Sequence, residues 1–109
     1  MNETIRTMLM HLGGANRLRA MLGVDKFLYD NPKNSLTFEF KGLEKSDLFT
    51  ISYNYNSDLY NMKFEKINYI TEFDTKCISS IEEIKVFRDI FCEDLEKTFE
   101  EFTGLYLSL

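Results

Sequence analysis

The chain holds 109 residues at a formal net charge of −5, and 44% of them are hydrophobic. That is enough for one domain spanning residues 1–109 around a single core, and too apolar for a chain that stays disordered. No apolar run is long enough to cross a bilayer as a helix, and Glu3 and Arg6 break up what would be the start of a signal peptide, so a cytoplasmic protein with no membrane partner is expected.

Asn2 or Thr4 is placed to cap a first helix, in which Ile5, Met8, Leu9 and Leu12 form one apolar stripe. Gly13-Gly14 interrupts it, since two glycines cost a helix interior about 2 kcal/mol against alanine. A second helix over residues 15–22 buries Leu18, Met21 and Leu22, and Gly23 ends it in the left-handed conformation. The two pieces make a helical hairpin.

The period then changes to two. Residues 26–29 read as a short strand closed by the turn formers Asp30-Asn31-Pro32-Lys33-Asn34. Leu36, Phe38 and Phe40 alternate with Thr37, Glu39 and Lys41. After a loop at residues 42–46, Phe49, Ile51, Tyr53 and Tyr55 alternate with Thr50, Ser52 and Asn54. Asn56-Ser57 is a tight turn into Tyr60, Met62 and Phe64. With a further short strand near residues 76–78, this is an antiparallel meander of three to five strands with one wet face.

Helical spacing returns toward the C-terminus. Ser80-x-x-Glu83 has the form of a capping box, and Ile84, Phe87, Phe91, Leu95, Phe99 and Phe102 recur at three and four, with Ile90 beside them. A long amphipathic helix is therefore expected, packed on one sheet face with Phe87, Phe91, Leu95 and Phe99 in the core. Gly104 stops it, and Leu105 folds back on the last turn. The fold class is α+β.

Residues with chemistry are sparse. His11 is the only histidine and sits beside the Gly-Gly turn; no zinc-like spacing exists, and no metal or cofactor is expected. Cys77 and Cys92 read as reduced, mostly buried thiols, the second among carboxylates that disfavour its thiolate. Gly13-Gly14 before a helix has the outline of an anion site but lacks a Walker Lys-Ser/Thr or a GxGxxG pattern. The neighbours Glu82-Glu83, Glu93-Asp94 and Glu100-Glu101 diverge by about 100° on a helix, too far for an acid/base dyad. No catalytic residue is assigned, and the chain reads as a non-enzyme.

Three blocks carry a resemblance. They are Leu12-Gly13-Gly14-Ala15-Asn16-Arg17-Leu18-Arg19-Ala20-Met21-Leu22-Gly23, Asp58-Leu59-Tyr60-Asn61-Met62-Lys63-Phe64, and Thr103-Gly104-Leu105 after an acidic amphipathic segment and before the apolar tail Tyr106-Leu107-Ser108-Leu109. In this order they resemble a family of small uncharacterised proteins of phages, prophages and other mobile elements. The chain departs from that pattern at Leu18, where an aromatic is common, at Leu22, where Thr is common, and in a longer segment at residues 71–84. The resemblance implies a mobile-element origin, a host-cell location and a compact α+β fold, and it supplies no activity.

Charge separates the remaining functions. Residues 1–23 set Glu3 against Arg6, Arg17 and Arg19, while residues 81–109 set eight carboxylates against Lys85, Arg88 and Lys97. So acidic a chain is a poor ligand for phosphate backbones. The first expectation is non-catalytic binding to a host protein, such as a defence nuclease or a polymerase. Its candidate surface is Glu93, Glu96, Lys97, Glu100 and Glu101, opposite the Phe stripe, where carboxylates could steer the module onto a basic partner. Arg6, Arg17 and Arg19 form a secondary surface. The alternative is a nucleic-acid-associated accessory factor using those arginines with an aromatic platform of exposed tyrosines among Tyr53, Tyr55, Tyr60 and Tyr69, although Tyr53 and Tyr55 share the face of Phe49 and Ile51 and core packing is the stronger reading for those two. Oligomeric state is left open.

Overall fold

A computed structural model describes residues 2–41 and 46–105. The expected loop at residues 42–46 falls largely, and the apolar tail at residues 106–109 wholly, outside them. The fold is α+β: helices α1 (Glu3–His11) and α2 (Ala15–Leu22), strands β1 (Phe27–Asp30), β2 (Ser35–Glu39), β3 (Leu48–Asn54), β4 (Leu59–Glu72) and β5 (Thr75–Ile90), then helix α3 (Leu95–Thr103) entered through a 3-10 turn at Cys92–Asp94. The strands form one antiparallel meander in the order β1-β2-β3-β4-β5.

Local chemistry sets each helix end. Asn2 caps α1, its Oδ1 accepting the Ile5 N–H at 2.8 Å, and its own amide groups reach Asn31 and Asn34 in the β1–β2 turn. Gly14 (φ 90) turns the chain into α2, and Gly23 (φ 68) closes it in the left-handed conformation. The Lys41 N–H then donates to the Leu22 carbonyl at 2.9 Å, pinning the end of α2 to the strand beside it.

The helices supply Ile5, Met8, Leu12, Leu18, Leu22, Leu95 and Phe99 to one core. The sheet answers with Leu36, Phe38, Phe49, Ile51, Tyr60, Met62 and Phe64 from alternate positions of β2, β3 and β4, and with Phe40 just past the end of β2. At its centre the Phe99 ring meets Phe40, Phe49 and Phe64, at centroid distances of 5.6, 5.1 and 5.6 Å. Burying such a side chain stabilises the fold by about 1.5–3 kcal/mol through area alone. All three helices thus lie over one face. The other is open and rich in hydroxyls, with Thr37 and Thr50 hydrogen-bonded across strands at 3.0 Å.

The C-terminal helix is shorter than its apolar spacing suggests, and residues 75–90 form a strand. Ser80 caps nothing; its hydroxyl accepts from Asn68 Nδ2 across the hairpin at 3.2 Å. The misleading periodicity has a physical origin. The β4–β5 ladder slips in three places, each time with an additional residue on β5. Ile90 pairs with Tyr60 and Phe87 with Met62, so both face the core although they stand three apart. Asp89 is the inserted residue there, at φ 57, its N–H held by Asn61 Oδ1 at 3.2 Å. A bulged strand writes the same spacing as a helix. Phe87 is half-buried on β5. Phe91, expected in the core, is 57% exposed, because it lies between strand and 3-10 turn and not on a helix. Tyr55 is also not in the core: β3 ends at Asn54, and Tyr55 stands exposed in the turn that follows. Gly104 does end α3, at φ 73, and Leu105 packs against the core.

Candidate protein-binding surface

β4 and β5 run well past their neighbours. β3 stops pairing with β4 at Glu65, while the β4–β5 ladder continues to Glu72 and Thr75. The result is a two-stranded arm, and its sidedness is inverted. In β4 the apolar positions facing the helices are Tyr60, Met62 and Phe64, and the next are Ile67 and Tyr69. β4 carries no inserted residue in this stretch, so the step of three from Phe64 to Ile67 moves the apolar stripe to the opposite face. There the cross-strand pairs are Ile67↔Ile81 and Tyr69↔Ile78. The helix side of the arm pairs Lys66 with Glu82, Asn68 with Ser80 and, nearer the tip, the half-exposed Ile70 with Cys77.

Ile67 is buried at the root of this patch, its N–H held by Asp47 Oδ1 at 2.8 Å. Tyr69, Ile78 and Ile81 are 40%, 58% and 49% exposed. The Lys76 ammonium sits 4.2 Å from the centre of the Tyr69 ring, at the tip side of the patch. Partial burial, helped by the Glu39 and Asp47 carboxylates, pushes the Tyr69 hydroxyl above the ordinary tyrosine pKa. At the root side is the row Glu65↔Glu83, where Glu65 pairs with Lys63 at 3.7 Å and the uncompensated charge rests on Glu83; beyond it Lys63 and Val86 border a hollow of about 230 Å³ with Thr50, Ser52, Asn61 and Arg88.

The arm ends in a two-residue turn, Phe73-Asp74, with φ of 52 and 61. Positive φ at both positions is the signature of a turn that favours Asn-Gly, and a bulky side chain there costs about 1–2 kcal/mol. Phe73 occupies it 94% exposed. A strained aromatic held in solvent gains nothing for the fold.

The residues singled out from sequence are dispersed. Glu93 lies in the 3-10 turn and Glu96, Lys97, Glu100 and Glu101 on α3. Glu93, Lys97 and Glu101 are exposed, Glu96 and Glu100 half-buried. Lys97 spends its charge on Glu101 at 4.0 Å, an exposed pair of small energetic consequence. Arg6 and Arg17 are exposed on α1 and α2, whereas Arg19 stacks over Phe27 at 5.1 Å. The four tyrosines form no platform. Tyr53 and Tyr60 stack on the helix side at 5.1 Å, Tyr55 is in a turn, and Tyr69 is on the far face of the arm. The Tyr53 hydroxyl donates to Asp58 Oδ1 at 2.5 Å, which with burial pushes its pKa to about 12.

Cys92 is exposed, contrary to the expectation of burial, because it follows the strand end and not a helix face. Its thiol donates to Glu93 at 3.3 Å, and that bond holds its pKa above the ordinary value. Among the described residues no group of three or more His, Cys, Asp and Glu is placed to hold a metal ion, and no helix is long and apolar enough to cross a membrane.

No protein-family model matches the chain, and no curated protein or solved structure does either.

Sequence reading passed over Ile67, Phe73, Lys76, Ile78 and Ile81. Two signals pointed to them: the step of three inside a period-two strand, and the β-branched run Ile78, Ile81, Ile84 and Val86, which suits a strand better than a helix.

Proposed function

We propose that this chain is a non-catalytic accessory module of a mobile element that acts on a host protein, working by protein–protein contact, with the β4–β5 arm as its first contact surface, whichever polypeptide covers it. One observation carries the reading: the apolar stripe of β4 changes face at Glu65-Lys66 and continues on a side of the sheet where the described helices do not lie. A fold gains no internal packing by placing Tyr69, Ile78 and Ile81 there, and contiguous apolar surface with a polar rim is what binding sites share. The exposed Phe73 at a strained tip adds to it, since aromatic side chains are the usual anchors of interfaces. The acidic flank of α3 at Glu93, Lys97 and Glu101 is a second surface, suited to steering by charge more than to holding. The hydroxyl-rich sheet face and the separated arginines favour no nucleic-acid groove.

Photo-crosslinking tests this directly. A benzophenone side chain in place of Phe73 or Ile78 should give a discrete adduct in cells, and one in place of Arg17 should not. Adducts from Arg17 alone would move the function to the helical hairpin.

A further inference from the structure

We infer that the occupant of the arm's apolar face is a second copy of this chain, with the two arms crossed antiparallel about a twofold axis. This rests on the arm being a contact surface, and it names the partner. The argument is self-complementarity along one face. From root to tip the cross-strand rows are Lys63↔Val86, Glu65↔Glu83, Ile67↔Ile81, Tyr69↔Ile78 and Thr71↔Lys76, and then the turn with Phe73. A twofold axis between the third and fourth rows sets Ile78 of one copy over Ile81 of the other, and Tyr69 over the row of Ile67, which the monomer already buries.

The same operation brings the Lys76 row onto the acidic Glu65↔Glu83 row, twice per dimer. It also brings Phe73 onto Lys63 and Val86, at the mouth of the hollow of about 230 Å³. Apolar meets apolar, cation meets carboxylate, and the exposed ring meets a recess. No sliding is needed, because every row matches in one register. Two twisted ribbons can pack face to face at the ordinary sheet spacing of about 10 Å. A symmetric contact also closes on itself, so it ends at a dimer and does not propagate into a fibre. The α3 flank lies on the opposite side of the sheet, which leaves both copies free to present Glu93, Lys97 and Glu101 to a host protein.

Sedimentation equilibrium over a dilution series at low salt is the test, with the full chain and three variants. The wild type should show a monomer–dimer equilibrium. Glu83→Lys and Lys76→Glu should each weaken dimerisation by about tenfold or more, since each puts like charges together at both copies of the contact. An equal mixture of the two variants should form the heterodimer, because Glu at position 76 then meets Lys at position 83 and the native pair survives at the other end. Phe73→Ser, at a position 94% exposed in the monomer, should weaken the dimer without lowering the melting temperature at dilutions where the wild type is monomeric. A chain that stays monomeric at every concentration overturns the inference, and so does a mixture that associates no better than either variant alone. Benzophenone adducts at Phe73 of twice the chain mass support it. Adducts of another mass would leave the arm as a contact surface but remove the second copy from it, and no adduct from the arm would remove both.

Discussion

Truncating Phe99 and truncating Phe91 should have very different consequences, although the two stand eight apart on what looks like one helical stripe. Phe99 is fully buried and meets three rings within 5.1–5.6 Å. Phe99→Ala removes a buried aromatic and leaves a cavity, a loss of about 3–5 kcal/mol. The lost ring–ring contacts put it at the upper part of that range, because each is worth about 0.5–1.5 kcal/mol beyond area. Phe91 is 57% exposed and outside the core cluster, so Phe91→Ala should cost about 1 kcal/mol or less. Urea unfolding followed by circular dichroism reads both. With a denaturant slope of about 1–3 kcal/mol/M, the Phe99 variant should lose about 2 M in midpoint and the Phe91 variant about 0.5 M. Phe99→Leu, which keeps part of the apolar volume, should fall between them. Equal shifts for Phe91 and Phe99 would refute the reasoning, since they would mean a continuous helix from residue 84 onward with both rings in the core.

Gly104→Val should destabilise the fold by about 1–2 kcal/mol in the same assay. An added Cβ at Gly104 meets nothing within 4 Å, so the loss is conformational, and a neutral result would contradict the left-handed helix stop at φ 73. At dilutions where the chain is monomeric, the double change Phe73→Asn and Asp74→Gly should stabilise the hairpin by about 1 kcal/mol while removing the exposed ring; a loss of stability there would show that Phe73 packs in the monomer. Tyr53 should titrate near 12 in a spectrophotometric titration, and Asp58→Asn should bring it down toward 10.0. Because the folded state holds that proton more tightly, its stabilising effect is complete below pH 10.0 and is lost as the pH rises toward 12. A midpoint unchanged by Asp58→Asn would dismiss the hydrogen bond as the cause.

What the sequence by itself determined is whatever depends on near neighbours. Asn2 accepts from an amide three residues on, the glycines at 14, 23 and 104 have the freedom that their positive φ demands, and strict alternation in β2 and β3 assigns each side chain a face. The architecture of two helices, a meander and a C-terminal helix was legible for that reason. Only the tertiary structure decided the identity of residues 75–90 and the place of the candidate surface. Spacing of three is ambiguous, because a helix produces it by turning and a strand by inserting a residue, and the difference lies in the partner. Phe87 and Ile90 share a face because Met62 and Tyr60 stand opposite them in β4. The acidic cluster was legible as composition, yet its division into exposed Glu93 and Glu101 and half-buried Glu96 and Glu100 depends on where α3 begins. The arm was the least legible feature. Its apolar residues are ordinary strand residues until the sheet around them ends, and where β3 stops pairing with β4 is set by the ladder and not by any residue of the arm.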